Sequence, residues 1–119
     1  MAKELEFIGS SQKDIRSFPE DVKDNIGYAL RQIQEGEMPA CVKPWKGLGS
    51  GVLEVLDDFD GDTYRSVCTV RFDEVMYVLH CFQKKSKSGI ETPPRDKDLV
   101  EKRLKSAEDH YKANYKAKK

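Results

Sequence analysis

The side chains whose types could do chemistry are cationic and lie mainly in the second half of the chain. Between positions 65 and 95 the sequence brings together arginines, lysines and one histidine, namely Arg65, Arg71, His80, Lys84, Lys85, Lys87 and Arg95. The phosphate-loop, GxSxG and HExxH signatures are lacking, and Gly47, Gly49 and Gly51 open a predicted strand rather than a helix. What remains for chemistry is this cationic set.

Cations of this kind are sufficient to cleave RNA through the ribose 2′-hydroxyl, a reaction with no obligatory metal. A fixed guanidinium can bind two phosphate oxygens at once and stabilise the charge of the pentavalent phosphorane. A histidine, or a lysine whose pKa is lowered by neighbouring cations, can move the protons near neutral pH. The residue types are therefore compatible with an endoribonuclease.

Each of these cations also has an ordinary structural explanation. Arg65 can form a cross-strand salt bridge with Glu54 or Asp57, and His80 can be a half-buried sheet residue with a backbone partner. Residues 84–87, with three lysines, can form a solvated turn. Taken by themselves, the residue types favour these structural explanations.

The composition indicates one ordinary globular domain, spanning residues 1–119, with 38% hydrophobic and 35% charged residues. The net charge of zero conceals an asymmetry, because residues 1–62 carry a charge of −6 and residues 63–119 carry +6. A basic half favours a polyanionic or acidic partner slightly, although solvated helices have the same composition. No apolar run approaches the roughly 18 residues of a membrane span, so we expect a cytoplasmic protein without a membrane partner.

Cysteine and histidine are too few and too scattered to predict a metal site or a disulfide framework. The three cysteines, Cys41, Cys68 and Cys81, make an odd number without CxxC spacing. His80 and His110 are isolated in the sequence. We therefore expect buried thiols and neither a metal nor a cofactor.

Periodicity and turn residues predict an α+β domain with the order β-α-α-β-β-β-α. A helix hairpin packs on one face of an antiparallel sheet whose last three strands form a meander. The predicted elements are a strand at Leu5 to Ile8, a short helix capped by Ser10 or Ser11, a helix from Pro19 to Gly36, strands at Val52 to Phe59, Thr63 to Phe72 and Val75 to Gln83, and a helix from Arg95 or Asp96. The Pro- and Gly-rich residues 38–51 are expected to be irregular, with Trp45 and Leu48 holding this loop to the core.

Pairing of Phe72 with Val75 across the turn would distribute the last hairpin over two faces. One face would be core, with Ser66, Cys68, Val70, Phe72, Val75, Tyr77, Leu79 and Cys81. The other would carry Arg65, Val67, Thr69, Arg71, Met76, Val78, His80 and Phe82. A slip of one residue would exchange the faces, so this grouping depends on the turn.

The order of elements and several motifs resemble the RelE/ParE toxin superfamily, and more narrowly its HigB-like, phage-derived branch of type II toxin-antitoxin proteins. The similarity covers nearly the whole chain, and its specific part runs from Tyr64 to Ala107. The residues that carry it are Gly51-Val52-Leu53-Glu54-Val55, Tyr64-Arg65, Tyr77-Val78-Leu79-His80, Phe82, Lys84-Lys85-Ser86, Thr92-Pro93, Arg103 and Ala107.

The resemblance implies a metal-independent, ribosome-dependent mRNA endoribonuclease whose open, basic sheet face enters the ribosomal A site. A small helix-turn-helix antitoxin would mask it. Arg65 matches the family arginine that contacts the scissile phosphate, and Lys84 and Lys85 match the basic position after the last strand. The candidate catalytic residues are then Arg65, His80, Lys84 and Lys85, and the candidate RNA-binding residues are Lys46, Arg71, Lys87 and Arg95.

The second predicted strand of the chain, Val52 to Phe59, departs from the pattern of RelE proteins proper, which carry acid/base lysines in that region. This chain has Glu54, Asp57 and Asp58 instead, which shifts the proton-transfer role toward His80, Lys84 and Lys85. Two alternatives remain: a ParE-like inhibitor of DNA gyrase, which shares the fold, and a catalytically silent phage-derived binding module. The sequence leaves the oligomeric state, the antitoxin and the cleavage preference open.

Overall fold

A computed structural model describes residues 2–85 and 92–115, with nothing described for the side chain of Lys85. Three helices and five strands follow one another in the predicted order, with one additional strand. They are β1 Glu4–Phe7, α1 Ser11–Arg16, α2 Glu20–Gln34, β2 Val42–Pro44, β3 Val52–Phe59, β4 Asp62–Thr69, β5 Val75–Lys85 and α3 Pro94–Asn114.

The strands form one mixed sheet in the order β1-β5-β4-β3-β2. Strands β3, β4 and β5 make the predicted antiparallel meander, and Asp60 and Gly61, both at positive φ, turn β3 into β4. Strand β1 pairs with β5 in parallel, so the sheet is not purely antiparallel as predicted. The chain reaches this arrangement because α1 and α2 carry it away from β1 before the meander begins.

Strand β2 lies in the segment that was predicted to be irregular. It pairs with β3 at the edge of the sheet, where Pro44 tolerates the loss of its backbone N–H. Two further bonds extend the pairing, from Leu56 N to Cys41 O and from Trp45 N to Val52 O. The prediction was wrong here because Pro and Gly exclude a central strand more strongly than a short edge strand.

Both faces of the sheet are covered by helices. Helices α1 and α2 cover one face, over a core that includes Val22, Ile26, Leu53, Val55, Cys68, Met76 and Val78. Helix α3 covers the other, over Val52, Val67, Val75, Tyr77, Leu79, Val100, Leu104 and Ala107. The helix hairpin on one face is confirmed, whereas the second face is not the open surface that the resemblance implied. No helix in the described ranges is long and apolar enough to cross a membrane.

A β-bulge in the last hairpin corrects the predicted grouping of side chains. Strand β4 ends at Thr69, which pairs with Tyr77, and the register shifts by one residue between Val67 and Cys68. Before the bulge, Met76 and Val78 therefore face α2, and Val75, Tyr77 and Leu79 face α3, the reverse of the prediction. Beyond the bulge the prediction holds, with Arg65, His80 and Phe82 on the α3 side.

The second half of α3 is held by an aromatic cluster. Phe72 stacks on Tyr111 with ring centroids 4.5 Å apart, and the Tyr77 hydroxyl lies 2.7 Å from His110 Nδ1. Burial raises the pKa of Tyr77, whose ring is fully enclosed. These contacts fix the C-terminal half of α3. The first turns of the helix are positioned by other residues.

Candidate active site

A small open cleft lies where α3 begins, at the end of the sheet that holds Arg65. It has a volume of about 240 Å³ and is lined by Pro44, Trp45, Lys46, Glu54, Arg65, Thr92 and Lys97. Trp45 and Lys46 follow β2, Glu54 and Arg65 stand on β3 and β4, and Thr92 and Lys97 flank the start of α3. The cleft is therefore built from four separate segments.

Arg65 is the central side chain of this cleft. Its Nη1 donates hydrogen bonds to Glu54 Oε2 at 2.7 Å and to Thr92 Oγ1 at 3.3 Å. Only 8% of the residue is exposed, yet no described residue offers an acceptor to its Nε. The Nε atom is itself almost fully covered, so a ligand oxygen would reach this unmet donor only if the guanidinium shifted within the cleft.

Sheet register explains why Glu54 meets Arg65. Glu54 pairs with Val67 and Arg65 pairs with Leu56, so the two charged residues are diagonal neighbours on adjacent strands. Both point to the α3 side, since Val67 belongs to the core under that helix. The cross-strand salt bridge considered from the sequence is thus present, with Glu54 rather than Asp57 as the partner.

The charge of the cleft favours an anion. Lys46 and Lys97 are exposed at its rim, and together with Arg65 they set three cations against the single carboxylate of Glu54. Glu54 is itself 8% exposed, so its charge is mainly directed at Arg65. An anion entering the cleft would meet a net positive field on a partly desolvated floor.

Comparison with known sequences and structures agrees with this architecture. The profile of the family described as Phage derived protein Gp49-like (DUF891) matches residues 13–105. The chain belongs to this family. Its fold is that of RelE: the structure of a mutant E. coli toxin RelE in the free state aligns with a TM-score of 0.59, covering 89% of this chain and 98% of that chain at 18% identity. No curated protein sequence matches significantly. The assignment to the RelE superfamily and its phage-derived branch is confirmed.

His80 of this Gp49-like chain lies beside the cleft but does not line it. It is 6% exposed, its ring stacks on Phe82 with centroids 4.7 Å apart, and its Nε2 lies 2.8 Å from Asp96 Oδ1. Its Nδ1 lies 3.4 Å from Arg103 Nη1. The partners are therefore side chains of α3 rather than the backbone group expected from the sequence.

Arg71, predicted to bind RNA, is occupied by internal contacts. Its guanidinium donates hydrogen bonds to Leu48 O at 2.5 Å and Ser50 O at 3.1 Å, and forms a salt bridge with Glu108 at 3.2 Å. A side chain at Gly49 would crowd this guanidinium, since its Cβ would lie 3.1 Å from Arg71 Nη2. The glycine-rich segment is thus shaped around Arg71 and not around a nucleotide.

The remaining predicted cations are distributed around the molecule. Lys46 lines the cleft, and Lys84 is half-buried on β5 opposite Thr63. Lys85 pairs with Asp62 through the backbone, and Lys87 lies outside the described residues. Arg95 is exposed at the start of α3, against a separate cleft.

Five of the seven residues that line the cleft were absent from the sequence prediction of the site: Pro44, Trp45, Glu54, Thr92 and Lys97. The sequence alone could have indicated Glu54, because a carboxylate within a strand of β-branched residues needs a partner on the same face. Trp45 was assigned to the core, and it is 8% exposed. Thr92 and Lys97 carried none, since only the packing of α3 brings them to Arg65. The described residues contain no group of three or more side chains suited to a metal ion.

Proposed function

We propose that this Gp49-like protein is the toxin of a type II toxin-antitoxin system. It acts as a ribosome-dependent endoribonuclease that cleaves mRNA through the ribose 2′-hydroxyl without a metal ion. Family membership and the RelE fold support the toxin assignment. The observation that carries the chemistry is Arg65, a nearly buried guanidinium in a cationic cleft whose Nε has no acceptor within residues 2–85 and 92–115.

Arg65 binds the scissile phosphate in this proposal. The N–H groups of the guanidinium that are not bonded to Glu54 supply hydrogen bonds to a non-bridging oxygen, and the fixed charge stabilises the phosphorane. Because Glu54 already orients the guanidinium, little side-chain entropy is lost on binding. Lys46 and Lys97 hold neighbouring phosphates from the rim.

Glu54 takes the proton from the 2′-hydroxyl. Its carboxylate lies 2.7 Å from Arg65 Nη1, so a phosphate bound to Arg65 brings the adjacent ribose to it. The 2′-oxygen then bonds to phosphorus, the bond from phosphorus to the 5′-oxygen breaks, and a lysine ammonium protonates the leaving oxygen. The products are a 2′,3′-cyclic phosphate and a 5′-hydroxyl end. Lys97 and Lys46 both line the cleft, and one of them donates this proton while the other holds a neighbouring phosphate.

The other predicted cations and partners complete the proposal. Lys84, Lys85, Lys87 and Arg95 contact RNA outside the cleft. The ribosome presents the mRNA, since a cleft of about 240 Å³ cannot by itself hold several nucleotides in register. A helix-turn-helix antitoxin binds the protein, and the site of action is the cytoplasm.

Controlled expression in bacteria with mapping of mRNA 5′ ends tests the proposal. Wild type should produce new in-frame cleavages on an abundant translated transcript. Arg65→Lys keeps a cation beside buried Glu54 but loses the planar fork, and Glu54→Gln keeps the shape but loses the base. We expect each to lower cleavage at least about 100-fold. Arg31→Lys, on exposed α2, is the matched control and should cleave like wild type.

The outcomes separate the rival functions. Growth arrest by wild type with intact transcripts would reject the endoribonuclease and direct attention to gyrase, whose supercoiling activity can be measured directly. No arrest with a folded protein would favour a silent binding module. Cleavage that survives in both cleft variants would reject the assigned site while keeping the activity.

A further inference from the structure

The β-bulge in β5 directs two consecutive residues toward α3. Val67 pairs with His80 and Cys68 with Val78, so Leu79 is the additional residue on β5. The Leu79 side chain packs in the α3-side core, and His80 also lies on that side. The backbone carbonyl of Leu79 accepts a hydrogen bond from Arg103 Nη1 at 3.0 Å. Bulges commonly redirect a side chain next to a functional site.

Arg103 is the centre of the contacts made around this bulge. Besides Leu79 O, its guanidinium reaches His80 Nδ1 at 3.4 Å and donates from Nη2 to Ser10 Oγ at 3.0 Å. Gly9, at φ +59, lies directly against it, and a Cβ there would stand 2.8 Å from Arg103 Nε. One side chain of α3 therefore joins the β1–α1 turn to the bulge of β5.

The hydrogen-bond pattern determines the tautomer of His80. A guanidinium can only donate, so His80 Nδ1 accepts from Arg103 and the ring proton is on Nε2. Nε2–H then donates to Asp96 Oδ1 at 2.8 Å. Both ring nitrogens are engaged and the residue is 6% exposed, which leaves neither nitrogen for proton transfer to RNA.

We propose that Arg103, His80 and Asp96 form a positioning network that holds the first turn of α3, and with it Thr92 and Lys97, against Arg65. Asp96 is the immediate neighbour of Lys97, and Thr92 precedes the helix by two residues. The network thus positions the wall of the cleft that Thr92 and Lys97 form, although its own residues do not line the cleft. The role in catalysis rests on the proposed endoribonuclease, whereas the placement of α3 does not.

Two glycine substitutions test whether the network holds the first turn of α3, without changing any residue of the cleft. Gly9→Ala puts a methyl group at Arg103, whereas Gly36→Ala, at φ +92, has open space around the new methyl and serves as the control for backbone strain. We expect Gly9→Ala to accelerate amide hydrogen exchange at residues 95–100 at least about tenfold and to change the fluorescence of Trp45, the only tryptophan. Residues 20–34 in α2 should exchange as in wild type.

The two outcomes of this comparison decide the placement. Unchanged exchange at residues 95–100 in Gly9→Ala would overturn the network. Uniformly faster exchange throughout the chain would overturn it equally, because it would mean that Arg103 contributes only to global stability. Neither readout requires the protein to cleave RNA, so a failure of the proposed function remains distinguishable.

His80 variants test the role in the reaction. Gln can still donate to Asp96, so His80→Gln should retain more cleavage than His80→Ala, which we expect to lose about 100-fold because the cleft wall is displaced. The shape of the pH–rate profile should be the same in wild type and His80→Gln. Equal losses in both variants, with a limb of the profile removed, would show that His80 transfers protons and would overturn the proposal.

Discussion

At the scale of single residues, burial separates groups that can react from groups that only pack. Arg65 and His80 are buried to nearly the same extent, at 8% and 6% exposed. The Nε of Arg65 has no acceptor among the described residues, whereas both ring nitrogens of His80 have partners. Arg65 can therefore form a further hydrogen bond and His80 cannot, although their residue types suggested a joint catalytic role.

The three thiols should likewise differ in reactivity according to their burial. Burial raises the pKa of both Cys68 and Cys81 to about 12, and Cys41 is exposed. At pH 8 we expect Ellman's reagent to modify one thiol per folded chain, and three after unfolding in urea. Cys41→Ser should abolish the reaction of the folded protein, and any faster second thiol would contradict the burial of the other two.

The same pKa values predict how stability changes with pH. In the unfolded chain both buried thiols ionise near 9.0, while in the folded chain they stay neutral until about 12. Their contribution to the free energy of unfolding is therefore complete below pH 9 and declines between pH 9 and 12. Urea unfolding of Cys68→Ala should show a smaller decline over this range than wild type.

At the scale of elements, side chains of α3 connect parts of the chain that are remote in sequence. Arg103 meets Ser10 across 93 positions, and Glu108 meets Arg71 across 37. Helix α3 thus holds the β1–α1 turn, the β4–β5 connection and the glycine-rich segment in one arrangement. The position of the cleft follows from these contacts.

Arg71 should be important for stability rather than for binding RNA. Truncation by Arg71→Ala removes the hydrogen bonds to Leu48 O and Ser50 O and leaves Glu108 unpaired. We expect a loss of about 2 kcal/mol in the free energy of unfolding, measured in urea. Arg31→Ala, which removes an exposed i,i+4 pair, should cost at most about 0.5 kcal/mol. Equal effects of the two substitutions would refute this assignment.

At the scale of the whole molecule, the two helical faces differ in exposed charge. The exposed charges of α2 are mainly acidic, with Glu20, Asp21 and Asp24 against Arg31. On α3 the exposed basic residues Arg95, Lys97, Lys102 and Lys105 stand among the exposed acidic residues Asp98, Glu101 and Asp109. The sheet lies between these helices. A polyanion should approach from the α3 side because the cationic cleft opens there.

Salt dependence measures how many of these cations meet phosphates. Binding to ribosomes programmed with mRNA should weaken with ionic strength, with a log–log slope of roughly −0.7 for each single-strand phosphate contact. Lys97→Gln should reduce the magnitude of the slope by about 0.7 if it makes one contact. Lys23→Gln, on the α2 side, should leave it unchanged. A flat response of wild type would refute the basic face as the binding surface.

The local sequence determined the elements and the family. Apolar spacing and the Asp60-Gly61 turn placed α2 and β3 almost at their observed ends, and motifs from Tyr64 to Ala107 indicated the RelE superfamily. Alternation also paired Arg65 with an acidic neighbour on β3. These features depend on residues that are close in sequence or on adjacent strands. They can therefore be predicted from the sequence alone.

Only the tertiary structure decided which cations share a site. A single additional residue at Leu79 inverted the faces of β5, and no periodicity in the sequence announces such a bulge. The packing of α3 buried His80, brought Thr92 and Lys97 to Arg65 and committed Arg71 to internal bonds. These outcomes rest on contacts between segments distant in the chain, whose geometry is set by the close packing of the core.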